Sequence, residues 1–311
     1  EPTLPFALRS GQMPGSQRGG KMNDTLRACL WMIGAIGAFT SMAVAGREVS
    51  LDLDTFEIMM YRSVIGLALV LIFARTFGRL GEVTRRSLGV HLIRNIFHFS
   101  GQNLWFHAIA VIPLAQVFAL EFTSPLWVIV LSPLVLGERM TRTRGIAAAV
   151  GFVGILIVTR PTPDTVHPGQ LAAALAAIGF AGSAVFTRRL TRTESTVCIL
   201  FWLTLMQAVF GLICAGIDGD IAFPPATAWP WVALIGLAGV TAHYCLTSAL
   251  ALAPASVVMP IDFARLPVIA LVGVALYAEP LDPFVLMGAA LIFAANYYNI
   301  LHETRHRVTG M

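Results

Sequence analysis

Charge is the scarcest property of this sequence. Only 12% of its 311 residues are charged, roughly half the share of an ordinary soluble domain. Lysine is nearly missing, with Lys21 alone beside twenty arginines. Cysteine is sparse as well: Cys29, Cys198, Cys214 and Cys245 fall singly within apolar runs. No CxxC and no local His/Cys cluster occurs, so neither a disulfide framework, a metal site nor a cofactor is expected. The chain also lacks HExxH and Gly-x-Ser-x-Gly, which counts against an intramembrane protease or lipid-modifying enzyme. The net charge of +4 comes from scattered arginines rather than a basic patch, so nucleic acid is not an expected partner.

What is present is apolar. Hydrophobic residues make up 57% of the chain and the mean hydropathy is +0.75, a surface that needs lipid as its solvent. A helix crosses the hydrocarbon with about 20 apolar residues. The apolar runs predict ten such spans, at 26–46, 56–76, 88–111, 114–136, 144–160, 168–187, 196–216, 229–251, 255–278 and 283–302. Ile112-Pro113 and Ala253-Pro254 leave almost no loop, as adjacent antiparallel helices require. Residues 1–21 are rich in Pro, Gly, Ser, Gln and Arg without a signal-peptide core, so 1–25 read as a flexible tail, and 303–311 is expected to be a cytoplasmic tail.

Positive residues in short loops mark the cytoplasmic side. With the N-terminus inside, sixteen of the twenty-one basic residues fall in inner segments and only Arg47 and Arg160 in outer ones. The outer loops carry Asp52, Asp54, Asp164, Asp218, Asp220 and Asp282 instead. Both termini are therefore expected in the cytoplasm. The arginine bias hints at a GC-rich bacterial genome, which places the protein in an inner membrane.

Shifting the chain by 141 residues aligns its halves. Phe39 meets Phe180, Arg47 meets Arg188, Pro113 meets Pro254, Glu121 meets Asp262, Phe122 meets Phe263 and Glu138 meets Glu279. Each half holds five spans, an odd number, so the second enters the membrane from the opposite side. The predicted fold is an all-α polytopic membrane protein of ten transmembrane helices, built as inverted repeats at 26–160 and 168–302. Secondary transporters are often made this way, with the substrate between the repeats.

The duplicated blocks Ala108–Glu138 and Ala249–Glu279 resemble the drug/metabolite transporter superfamily, specifically its ten-helix EamA-type transporters. The first block ends in Leu-Gly-Glu (136–138), followed by Gly145. The second departs from the pattern, with Ala278-Glu279-Pro280 where Gly-Glu is usual. Within the superfamily the chain looks most like the bacterial aromatic amino acid exporters. The resemblance implies a transporter for a small metabolite and no enzymatic activity.

The third span is the least lipid-like. His91, Asn95, His98, Gln102 and Trp105 share one helical face. Such a row lines a cavity or bonds neighbouring helices, with His98, Gln102 and Trp105 the cavity candidates and His91 interfacial. On the eighth span Thr241, Tyr244 and Ser248 form a shorter counterpart, with His243 on a neighbouring face. Tyr244, Phe263, Ser183 and Trp202 complete the candidate substrate contacts, with Thr40 and Trp127 as further mid-span positions.

Charges inside spans are costly and functional by default. Arg62, Arg94, Glu121, Asp262 and Arg265 are the candidates. Glu121 is expected a third of the way in from outside and Asp262 a third of the way in from inside. Asp262 has Arg265 or Arg94 within reach, and Arg62 and Glu121 form another possible pair. These groups are gating ion pairs or, alternatively, proton carriers. Pro125, Pro133, Pro260 and Pro267 bend the fourth and ninth spans, and Glu138 and Glu279 close them. The expected function is export of aromatic and other neutral amino acids or similar metabolites by alternating access. A multidrug or other metabolite exporter of the same superfamily and a channel-like pore are the alternatives.

Overall fold

The computed structural model describes residues 18–137, 141–160, 167–217, 219–252 and 261–309. Glu138, Asp164, Asp218, Pro254, Pro260 and the tail up to residue 17 lie outside them. The described residues form eleven α-helices and one 3-10 turn. These are α1 (Arg18–Val49), α2 (Thr55–Thr76), α3 (Leu88–Val111), α4 (Leu114–Glu121), α5 (Ser124–Leu136) and α6 (Arg142–Thr159). There follow α7 (Pro168–Leu190), α8 (Thr196–Ala215), α9 (Trp229–Leu252), α10 (Arg265–Tyr277) and α11 (Pro283–Thr309). Eight stretches are long and apolar enough to cross a membrane. The third predicted span, α3, is long enough, but its polar row dilutes its hydropathy. The described part of the ninth, α10, is a shorter apolar helix.

The helix ends follow from local chemistry. Asp54 and Glu57 form a reciprocal capping box that starts α2. Thr141 and Ser195 accept backbone N–H bonds at the starts of α6 and α8. At the end of α5, Gly137 takes the left-handed conformation at φ 68°, which glycine adopts without strain. Its equivalent 141 residues on is Ala278, at φ 50°. The departure from Gly-Glu in the second block thus sits at a backbone position that favours glycine.

The fourth and ninth spans are not continuous. The predicted helix 114–136 breaks at Phe122 and Thr123, between α4 and α5. The equivalent residues Phe263 and Ala264 form a turn ahead of α10. Each following helix carries a proline in its first turn, Pro125 or Pro267, whose missing N–H favours a helix start. Pro125 and Pro267 thus open the helices that follow these two interruptions, while Pro133 lies inside α5. The freed carbonyl of Phe122 accepts from the buried Asn296 amide at 3.0 Å, which is how irregular backbone survives at membrane depth.

The principal helix contacts run between the repeats. Helix α1 packs on α9, α3 on α7, α2 on α8, α6 on α11, and α4 on α10. The first two pairs exchange under the repeat symmetry, and α2–α8 and α6–α11 each map onto themselves. Close approach needs small residues. A Cβ on Gly179 of α7 would stand 2.7 Å from the Gly101 Cα of α3. Likewise a Cβ on Gly288 of α11 would lie 2.7 Å from the Gly154 carbonyl of α6.

Candidate functional site

Two clusters occupy the middle of the bundle. The first is a small chamber between α2, α8 and α9, open on one side, with a cavity volume of about 20 Å³, room for one water. Arg62, Ser63, Thr204, Gln207 and His243 supply its polar groups, and Gly66, Gly236 and Gly239 let the helices come close around it, a Cβ on Gly236 standing 2.6 Å from the Ile65 Cγ2. His98 of α3 adjoins it, its ring 6.3 Å from His243 and 6.1 Å from Phe180. Phe39 lies 5.8 Å from His243 on another side. The repeat mates Phe39 and Phe180 thus flank the histidine pair, and His243 is itself the repeat mate of Gln102.

Hydrogen bonding in this region is incomplete. Thr40 Oγ1, Arg62 Nε, Ser63 Oγ, His98 Nδ1, Gln102 Nε2 and Gln207 Oε1 are buried without a partner. Each such group costs about 1–3 kcal/mol unless something satisfies it. Arg62 is only 8% exposed, and among the described residues its one hydrogen-bond contact is the Met59 sulfur at 3.9 Å. Arg94, also buried, donates to Thr187 Oγ1 at 3.0 Å and to Asn95 Oδ1 at 3.2 Å. Among the described residues, no carboxylate pairs with either guanidinium. The expected pairs Arg62–Glu121 and Arg94–Asp262 do not form.

Both acids instead meet on a single arginine, in the second cluster. Arg265 Nη2 lies 3.1 Å from Glu121 Oε1 and 3.3 Å from Asp262 Oδ2. Glu121 ends α4, and Asp262 and Arg265 flank the turn before α10, so the two breaks converge. The expectation that the acids lie at opposite depths is thereby corrected: interrupted helices bring repeat mates together. Trp105 donates its indole N–H to Glu121 Oε2 at 2.8 Å. Phe39, Phe118 and Phe122 surround the Arg265 guanidinium at 4.6–5.1 Å. Phe263 stacks against its mate Phe122 at 4.7 Å. Phe39 touches both clusters, so the chamber and the ion-pair knot adjoin.

Other candidates are placed elsewhere. Tyr244 is 47% exposed and packs on Trp31 and Phe73 at the bundle's outer surface. Thr241 is exposed too, so the proposed row on α9 faces outward and its neighbour His243 takes the inner place. Trp202 donates to the Thr84 carbonyl at 2.7 Å, in the connection before α3. Ser183 is buried along α7, and Trp127 packs on Phe152 at 4.8 Å. His91, in the first turn of α3, is fully buried. Sequence reasoning passed over Gln207, whose amide donates to the Asn95 carbonyl at 3.0 Å. A lone amide in the otherwise apolar run of α8 was the signal.

Glu279 performs the helix-end role expected of it. It accepts from Arg47 and, at 2.9 Å, from the Leu114 N–H. Arg47 also donates to the carbonyls of Ile109 and Ile112. One carboxylate thereby fixes the α3–α4 hairpin against the ends of α1 and α10. Arg160 pairs with Asp282 on the same side.

Comparison with known proteins places this arrangement. The chain is 31% identical to a riboflavin transporter of Brucella anthropi over 86% of its own length and 96% of the relative's. A riboflavin transporter of Vibrio cholerae is 28% identical over 90% and 95%. An S-adenosylmethionine uptake transporter of Rickettsia bellii is 24% identical over 91% and 98%. The fold is shared with a protein of known crystal structure at 20% identity, with a TM-score of 0.63 over 89% of this chain and 98% of the other. The model of the EamA-like transporter family matches twice, at residues 26–160 and 167–301, two windows related by the 141-residue shift. Two matches over both five-helix repeats, around a buried polar chamber, establish that this chain is a multi-pass membrane transporter belonging to the EamA-like transporter family.

Proposed function

We propose that the chain is a secondary transporter that carries a small, ring-bearing metabolite rich in hydrogen-bond acceptors, with riboflavin the first substrate to test. The observation that carries this reading is Arg62, buried at the chamber without a carboxylate. A buried cation is tolerated when something else supplies the acceptors. Riboflavin offers ring carbonyls and nitrogens to Arg62, Gln207 and His243, and a planar face to Phe39, Phe180 and His98. The riboflavin transporters among its relatives point the same way.

Export of aromatic or other neutral amino acids is the second reading, because an α-carboxylate is also a partner for Arg62. Counterflow of labelled riboflavin and labelled phenylalanine in proteoliposomes separates the two. Saturable riboflavin exchange, lost in Arg62→Met, supports the first reading. Phenylalanine exchange without riboflavin exchange selects the second, and flux that never saturates points to a channel.

Coupling is proposed at the knot. Two carboxylates share one guanidinium, which leaves one negative charge in excess, and a single proton neutralises it. Exchange driven by an imposed pH gradient should therefore weaken in Asp262→Asn, while counterflow without a gradient persists.

A further inference from the structure

The side of the bundle that carries the start of α1 and the end of α11 holds a cluster that neither the chamber nor the knot uses. His91 of α3, Glu194 of the α7–α8 connection and Cys198 of α8 place one ligand atom each within 4.8 Å of one another, and all three are buried. Glu194 and Cys198 are four residues apart but His91 lies about a hundred residues away, so spacing concealed the cluster and no metal ligation was expected. Both ring nitrogens of His91 and Glu194 Oε1 are buried without a hydrogen-bond partner. The unpartnered imidazole is 0% exposed. Thr84 organises the other two ligands. Its hydroxyl donates to Glu194 Oε2 at 2.7 Å, and its N–H and carbonyl contact Cys198 Sγ at 3.4 and 3.7 Å.

We propose that His91, Glu194 and Cys198 form a binding site for a zinc-class divalent cation. One imidazole nitrogen, one carboxylate oxygen and one sulfur are a ligand set that suits Zn²⁺, with a water completing four-coordination. The carboxylate and the thiolate together offset the 2+ charge. Binding breaks the Cys198 S–H bond, and its proton passes to solvent as the sulfur–metal bond forms. Tetrahedral ligands at 2.0–2.3 Å from zinc stand about 3.5 Å apart, so the cluster needs to contract by about 1 Å. Rotation of the Glu194 and Cys198 side chains supplies that. The site joins the first repeat, through α3 and the connection holding Thr84, to α8 of the second. A bound cation therefore clamps the repeats together on this side.

The test is titration of the purified full chain in detergent with Co²⁺, which reports a sulfur ligand by near-ultraviolet charge-transfer absorption, followed by displacement with Zn²⁺. One Co²⁺ per chain is expected, with the band abolished in Cys198→Ser and the dissociation constant raised at least tenfold in His91→Ala. Zn²⁺ should raise the melting temperature of the wild-type chain and leave that of Glu194→Gln unchanged. Cys198→Ser nearly preserves volume, and a monodisperse elution profile confirms that it folds. A wild-type chain without the band overturns the proposal. So does a band that survives Cys198→Ser, because it then belongs to Cys29, Cys214 or Cys245.

Discussion

Individual residues divide here into charges that are matched and charges that are left waiting. Arg265 is matched twice, and removing one partner of a buried ion pair typically costs about 3–5 kcal/mol. Arg265→Met should therefore destabilise strongly, by about that amount, because Glu121 and Asp262 are left facing each other; a thermal melt in detergent reads this. Arg62 should behave in the opposite way. With no carboxylate to abandon, Arg62→Met should leave the melting temperature unchanged or raise it, by about 1–3 kcal/mol of stability, while abolishing exchange. A melting temperature that falls as far as that of Arg265→Met would mean that Arg62 serves the fold and not the substrate. Outside the membrane, Glu194 carries a smaller effect. The Thr84 hydroxyl bond is the main influence that holds its carboxyl below the ordinary value of 4.5. A carboxyl lowered in the folded state stabilises above its unfolded pKa and loses that contribution as pH falls through the folded one. Acidification below about pH 4.5 should thus cost the wild type stability that Glu194→Gln never had, seen as a shallower decline of melting temperature in the variant.

At the scale of elements, the sequence was most legible where a single pattern decides the outcome. Apolar runs located α2, α3 and α6 to α9 within a few residues, and the polar row predicted the buried face of α3, but α1 begins at Arg18 and α11 continues to Thr309, within segments read as tails. The two discontinuous spans were not legible, because Phe122-Thr123 and Phe263-Ala264 are as apolar as their surroundings. Only the prolines hinted at a disturbance, and a proline alone does not distinguish a bend from a break. The Asp262–Arg265 pair, one helical turn apart, was legible and forms, whereas the pairing of Glu121 with the same Arg265, 144 residues away, was not. Tyr244 and His243 are neighbours in sequence, and propensity does not reveal which of them turns inward. Two substitutions test the elements themselves. Ala278→Gly should stabilise the chain by about 1 kcal/mol by relieving a left-handed backbone at the end of α10. Gly179→Val should destabilise it by about 1–3 kcal/mol, because its side chain would meet the Gly101 backbone where α3 and α7 cross. Both are read as shifts in thermal midpoint, and a neutral Gly179→Val would mean that these helices do not approach as closely as 2.7 Å.

For the whole molecule, the pairing of helices makes a statement about how two repeats become one transporter. Neither repeat resembles a self-contained bundle, because α1, α2, α3, α4 and α6 of the first find their principal partners in α9, α8, α7, α10 and α11 of the second. A half expressed alone would leave the small-residue faces of Gly101 and Gly154 without the backbones they are shaped to meet. In lipid, helix association depends on such close packing and on interhelical polar contacts, so the isolated half lacks most of what would hold it together. The chamber is divided in the same way, with Arg62 and His98 from one repeat and Gln207 and His243 from the other. Separate chains spanning 1–160 and 161–311 should therefore be degraded or aggregate when produced singly. Produced together, they should assemble into a species that co-purifies through a tag on either half and restores counterflow. Recovery of a monodisperse, folded first half on its own would contradict this reading, since it would require packing within that repeat of the kind seen between the two.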